Sequence, residues 1–69
     1  MLANPGALLV DGEVAGTWRV KQATKGRLDL TVTPFAPLPA RVARAVEAEA
    51  ETVRAARGGT GVRVTVEAG

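Results

Sequence analysis

The sequence predicts an α+β domain, in which an antiparallel β-meander of three strands precedes one helix packed on the sheet and a fourth strand, in the order βββαβ. Three observations predict this class. Apolar and polar residues alternate with period 2 in the predicted strands. Short turn signals join the first three strands, and such turns can connect only antiparallel neighbours. A segment rich in alanine, arginine and glutamate, which are good helix formers, then follows a proline-rich break.

The first hairpin is predicted from Asp11-Gly12, which separates the strands at residues 7–10 and 13–22. Asp-Gly between apolar runs favours a type I′ turn, because both central positions of that turn need a positive φ. Alternation then divides the second strand into a buried and a solvated face. The buried face is expected to hold Val14, Gly16, Trp18 and Val20. A glycine on this face indicates a bulge or the close approach of a neighbouring group.

The third strand is predicted at residues 27–33, after a polar turn at residues 23–26. Its buried face is expected to hold Leu28, Leu30 and Val32. Three prolines within residues 34–39 should stop the sheet, because proline removes a ladder donor. Phe35 and Leu38 are expected to pack inward and close one end of the core.

The helix is predicted at residues 39–57, and Gly58-Gly59 should end it by supplying left-handed backbone geometry. Its apolar stripe is expected to comprise Val42, Val46, Val53 and Ala56. Glu49 falls near the middle of this stripe. The fourth strand is predicted at residues 62–67, with its valines facing the core. We expect it to pair beside the first strand, in a direction that the sequence leaves open.

Length and composition limit the possible functions. Sixty-nine residues allow one domain, expected at residues 7–69 after a flexible segment at 1–6. So short a chain without cysteine should have slim stability, which favours a fragment of a larger protein or support by a partner. Without histidine and cysteine, the sequence lacks the commonest general base, the best nucleophile and the preferred zinc ligands. We therefore expect this chain to use no cofactor, to bind no metal and to have no enzymatic activity of its own.

Charge and hydropathy point to a location and allow one class of partner. The net charge of +2 and the isoelectric point near 9.9 permit contact with nucleic acid without demanding it. The sequence contains no apolar run of the roughly 18 residues that a membrane helix needs. Residues 1–6 lack the basic and apolar regions of a signal peptide. The expected location is therefore cytoplasmic.

The candidate binding residues are four cations around the second hairpin: Arg19, Lys21, Lys25 and Arg27. Positive groups on a hairpin can contact phosphates along a nucleic-acid backbone. The alternative is a solvated strand edge whose charges resist pairing with other chains.

Two other residues are weighed between a function and a structural role. Trp18 has the aromatic surface to stack on a base, yet a lone tryptophan among alternating valines is more often core. Glu49 has the chemistry of a catalytic carboxylate, but a glutamate on a helix stripe more often reaches water at its margin. We favour the structural interpretation for both.

Two segments resemble a known family. One is the run from Leu9 to Arg19, with the pattern Val-Asp-Gly, a small residue, then Gly-Thr-Trp-Arg. The other is Pro34-Phe35-Ala36-Pro37-Leu38 and the alanine-rich helix behind it. Together they resemble the C-terminal end of the bacterial winged-helix DNA-binding domain-containing proteins, which are related to the AlkZ-like DNA glycosylases.

The resemblance implies upstream winged-helix domains as partners and DNA as a ligand of the parent protein, and it relates that protein to DNA glycosylases. In glycosylase members the catalytic glutamine motif lies upstream, and no residue here matches it. The chain is thus expected to be a non-catalytic accessory domain that supports DNA binding and has cations able to contact the DNA backbone. The alternative is a structural or oligomerisation domain without nucleic-acid contact, for example a homodimer joined through an edge strand.

Overall fold

The computed structural model describes residues 2–3 and 6–67. The elements within these residues are β1 (Leu2–Ala3), β2 (Ala7–Val10), β3 (Glu13–Gln22), β4 (Arg27–Pro34), α1 (Ala40–Arg57) and β5 (Gly61–Val66). The strands form one mixed sheet in the order β1-β2-β3-β4-β5. Neighbours from β1 to β4 are antiparallel, whereas β5 is parallel to β4.

This architecture corrects the predicted topology, although the α+β class is right. Four strands precede the helix instead of three, and the final strand pairs with β4 instead of with β2. Because α1 carries the chain back along the sheet, β5 starts at the same end as β4 and runs parallel to it. Each predicted strand and the helix nevertheless begin and end within one residue of the observed bounds.

The additional strand β1 lies in the segment that the sequence analysis expected to be flexible. Leu2 pairs with Leu8, and Ala3 pairs with Ala7. The expectation for residues 1, 4 and 5 of that segment lies outside the described residues. Two strand residues are too few for periodicity to reveal, so β1 could not be predicted from the alternation of residues.

The core lies between one face of the sheet and α1. It comprises Leu8, Leu30, Val32, Val42, Val46 and Ala50. On the helix, Val42, Val46 and Ala50 follow one another at the four-residue spacing of a single face. Ala56, which was predicted to belong to this stripe, is exposed, and Glu49 is half-buried at its margin.

A bulge at Ala15 changes the predicted faces of β3. Leu8 pairs with Gly16 and Leu9 pairs with Val14, so Ala15 is an extra residue without a partner on β2. An extra residue reverses the alternation beyond it. Val14 therefore lies on the face away from α1 and is 57% exposed, contrary to the prediction.

The two aromatic side chains have different surroundings. Trp18 packs half-buried against the core, and its Nε1 donates a hydrogen bond to the carbonyl oxygen of Ala3 at 2.9 Å. This geometry supports the structural interpretation of Trp18. Leu38 packs against the core as predicted, whereas Phe35 is 68% exposed, so the prediction for Phe35 was wrong.

The turns agree with their sequence signals. Asp11 and Gly12 both have positive φ, at 52° and 81°, as the predicted hairpin turn requires. Gly58 ends α1 in the left-handed region and donates to carbonyl oxygens of the last helical turn. Within the described residues, no helix has the length and apolar character to span a membrane.

Candidate nucleic-acid interface

The face of the sheet opposite α1, hereafter the outer face, holds most of the candidate cations. Since β4 alternates with its leucines toward α1, Arg27, Asp29 and Thr31 project to the outer face. Cross-strand pairing then fixes the neighbours on β3 and β5, because paired residues point to the same side of a sheet. The outer face is not covered by any element of residues 2–3 and 6–67.

One cross-strand row of the outer face is formed by Lys21, Asp29 and Arg63. Lys21 pairs with Asp29 on β4, and Asp29 pairs with Arg63 on β5. A half-buried carboxylate thus lies between two exposed cations. Arg27 precedes this row by two residues on β4 and projects to the same side. Together these four side chains carry a net charge of +2, and the three cations are more exposed than Asp29.

A second row places Arg19 beside Thr31 and Thr65. Nη2 of Arg19 lies 3.6 Å from Oε1 of Glu67, and both side chains are largely exposed. An exposed ion pair contributes little to stability, roughly 0–1 kcal/mol. Its effect here is electrostatic: Glu67 offsets the charge of Arg19, which leaves Lys21, Arg27 and Arg63 as the stronger anion attractors of the outer face.

Lys25 lies at the basic end of the outer face, in the short 3-10 turn Thr24–Gly26 that joins β3 to β4. Its φ of 59° is in the left-handed region. The turn is held by the residue that precedes β5, since Oγ1 of Thr60 donates to the carbonyl oxygen of Lys25 at 2.9 Å. The exposed Lys25 side chain therefore extends from a backbone that is held in place.

An open depression adjoins these cations. It is lined by Ala23, Thr24, Arg27, Asp29, Gly61, Val62 and Arg63. Two of the lining side chains are cationic, and both have ready access to solvent. Guanidinium groups can bind phosphate oxygens with two parallel N–H donors. The depression is thus the part of the outer face with the chemistry to receive a phosphate.

The structure therefore brings together three of the four predicted residues, Arg19, Lys21 and Arg27, and places Lys25 at their margin. Sequence reasoning missed Arg63. The signal was available in the alternation of β5, which directs Arg63 away from the core. However, its position beside Asp29 follows only from the parallel pairing of β4 and β5, which the predicted topology excluded.

The acidic residues form no comparable site. The residues described contain no group of three Asp, Glu, His or Cys side chains that could hold a metal ion. Asp11 lies 3.5 Å from Arg41 across a groove between the first hairpin and α1, and both side chains are exposed. Glu51 pairs with Arg54 one helical turn later, at 2.7 Å. These carboxylates thus serve surface ion pairs.

The fold and this surface define a small α+β domain that has one helix-covered sheet face and one open, basic sheet face. The model of the DNA glycosylase AlkZ-like family matches residues 2–56, and the chain belongs to that family. The match ends before β5, so Arg63 lies outside it. No curated protein and no solved structure shows significant similarity to the chain.

Proposed function

We propose that this chain is a non-catalytic accessory domain of a winged-helix DNA-binding protein, and that its outer face contacts the phosphate backbone of DNA. Membership of a DNA glycosylase family supports a role connected with DNA. The observation that carries the contact is the clustering of Lys21 and Arg27, with Lys25 at their margin, on a sheet face that no described element covers. A role without catalysis is supported by a sequence that has no histidine and no cysteine.

The proposed contact is electrostatic and independent of base sequence. Strand spacing of roughly 4.8 Å places the cations of β3 and β5 about 10 Å apart across the outer face. Cations so arranged can reach neighbouring phosphates of one backbone, and phosphate contacts carry no sequence information directly. In the parent protein, base recognition would therefore belong to the winged-helix domains, which we propose as the partners of this domain. The cytoplasmic location stays a prediction.

The experiment is a titration of fluorescently labelled duplex DNA with the full chain, followed by anisotropy at several salt concentrations. If Lys21, Lys25 and Arg27 each neutralise one phosphate, log K should fall against log salt with a slope of about −2.7. Affinity should then drop by about 40-fold between 50 and 200 mM salt. An affinity that does not change with salt concentration would refute the proposed phosphate contact.

Matched variants test the location of the contact. Lys21→Gln with Arg27→Gln removes two charges from the outer face and should lower affinity at least tenfold at low salt, with a slope shallower by about two. Arg44→Gln with Arg57→Gln removes the same net charge from exposed positions of α1 and should leave affinity within about threefold. Equal losses in both variants would show that net charge alone, without the outer face, attracts the DNA.

The alternative function, a structural or oligomerisation domain, is favoured by a different observation. Among the described residues, no strand covers the far edge of β5, and Arg63 of this strand and Glu67 directly after it carry opposite charges.

A further inference from the structure

The feature that carries a further inference is the free edge of β5. This strand is the last in the sheet order, and no other strand of residues 2–3 and 6–67 pairs with its far side. The N–H of Glu67 donates to the carbonyl oxygen of Val32 on β4 at 2.8 Å. Backbone groups of successive strand residues point to opposite sides, so Val64 and Val66 direct their N–H and C=O groups away from β4. Unpaired strand groups of this kind are a template for another strand.

We propose that β5 pairs with β5 of a second copy of this chain, antiparallel and centred on Thr65, so that the two sheets join into one. The two-fold axis passes between the two Thr65 residues. A symmetric pair of this kind uses the same surface on both copies, as dimer interfaces commonly do.

Charge complementarity selects this register. With Thr65 opposite Thr65, Arg63 of each copy lies opposite Glu67 of the other, which forms two identical cross-strand ion pairs on the outer face. These residues occupy non-hydrogen-bonded positions, where Cα atoms are about 4.5 Å apart and side chains are closest. Glu67 already faces Arg19 of its own chain, and a carboxylate has enough lone pairs to accept from both arginines.

The other side of the strand fits the same register. Val64 lies opposite Val66 of the second copy, and these two residues exchange the backbone hydrogen bonds that point away from β4. Val66 is 49% exposed in the single chain, and pairing would cover it. Hydrogen bonds and valine contacts thus form together with the ion pairs.

Neighbouring registers lack this complementarity. Centring the pair on Val64 places Arg63 opposite Thr65, which forms no ion pair. Centring it on Arg63 brings two arginines together, which is destabilising. Charged residues on edge strands commonly prevent pairing. Here, however, Arg63 of β5 and Glu67, the residue directly after it, are opposite in sign and four residues apart, so they match when the strand meets its own copy in reverse.

The first experiment is disulfide trapping of the full chain carrying Thr65→Cys. The natural sequence contains no cysteine, so any cross-link reports the introduced thiol. A Cα separation near 4.5 Å is within the range that a disulfide spans. Mild oxidation should convert most of the protein to a dimer on a non-reducing gel. Thr31→Cys, one strand further from the axis on the same face, should stay monomeric.

Two results of this experiment would overturn the proposal. If Thr65→Cys cross-links no better than Thr31→Cys, β5 does not meet its own copy. If Val64→Cys cross-links more efficiently than Thr65→Cys, the register is centred on Val64, and the proposed ion pairs do not form.

The second experiment measures the dimer without cross-linking, by sedimentation over a range of protein concentrations. Arg63→Glu places two carboxylates opposite each other at both ion pairs and should raise the dimer dissociation constant about tenfold or more. Arg19→Gln breaks only the ion pair of Glu67 within its own chain and should change that constant less than threefold. Circular dichroism checks that both variants fold. A purely monomeric natural chain at millimolar concentration would refute the pairing.

Discussion

At the scale of single residues, the clearest constraint lies at Gly16, where two backbones approach closely. Gly16 is buried on the face of β3 that α1 covers, opposite Pro34 of β4. A Cβ atom at this position would lie 2.6 Å from the carbonyl oxygen of Thr33 and 2.7 Å from Cα of Pro34. Both neighbours are main-chain atoms of a paired strand, so neither can move away by a bond rotation as a side-chain atom could. Only glycine fits here without displacing β4.

Gly16→Ala should therefore lower the free energy of unfolding by about 1–3 kcal/mol, the usual cost of overpacking. Urea denaturation followed by the fluorescence of Trp18 measures this change. Thr17→Ala, at the adjacent exposed position, is the control and should change stability by less than about 0.5 kcal/mol. A Gly16→Ala variant as stable as the natural chain would show that β4 yields at this contact.

Residue patterns predicted the surroundings of Trp18 but not those of Val14 and Phe35. Trp18 follows the regular part of β3, where alternation holds. Val14 lies beyond the bulge at Ala15. Gly16 indicated a bulge or a close approach here, but the pattern could not show that Ala15 is the extra residue. The N–H of Phe35 donates to the carbonyl oxygen of Ala15 at 2.8 Å. This bond extends the strand contact past Pro34 and turns the Phe35 side chain to the outer face.

At the scale of elements, periodicity predicted where strands and helix begin and end, but pairing depended on non-local geometry. The sequence analysis placed the final strand beside the first one, where it would close a four-stranded sheet. The observed choice follows a simpler rule: strands that are consecutive along the chain are usually adjacent in space. With α1 between them, β4 and β5 become parallel neighbours, and β5 is left as the open edge.

The contact of α1 with the sheet depends most on Val46, which is 1% exposed and lies in the middle of the buried stripe. Val46→Ala removes two buried carbon atoms and leaves a small cavity, so the free energy of unfolding should fall by about 2 kcal/mol. Urea denaturation followed by circular dichroism at the helix band measures the loss. Arg44→Ala, exposed on the same helix, should change stability by less than about 0.5 kcal/mol. If Val46→Ala and Arg44→Ala lowered the free energy of unfolding equally, α1 would not pack on the sheet through Val46.

At the scale of the whole molecule, the sheet divides the domain into a core side and a charged side. Three of the four predicted cations lie on the charged side. Alternation alone determines which side chains of β3 and β4 point to that side. The contribution of β5 to that side, through Arg63 and Glu67, could not be predicted without the correct strand order. The same strand also completes the core, since Val62 and Val64 pack against it. The valines of β5 were predicted to face the core, but the misassigned pairing concealed where Arg63 lies on the basic surface and which strand is left at the edge of the sheet.

The role of β5 in the core leads to a prediction for the whole fold. The family match ends at residue 56, so a chain cut after Gly59 keeps all matched residues but loses β5. Val62 and Val64 are half-buried against the core, so each contributes part of the about 1.5–3 kcal/mol that full burial would give, and the cut also removes the backbone pairing of β5 with β4. At roughly 0.05–0.15 kcal/mol per residue, the total stability of such a domain is about 3–10 kcal/mol. We therefore expect the shortened chain to lose its cooperative thermal transition in far-UV circular dichroism.

The control for this truncation is Val66→Thr in the full chain, which alters the most exposed valine of β5 and keeps the strand. This variant should retain a cooperative transition, because its side chain contributes little to the core. If the shortened chain also unfolds cooperatively, then the matched residues suffice for the fold, and β5 belongs to the sheet without stabilising it. The core contacts of Val62 and Val64 make the opposite result the expected one.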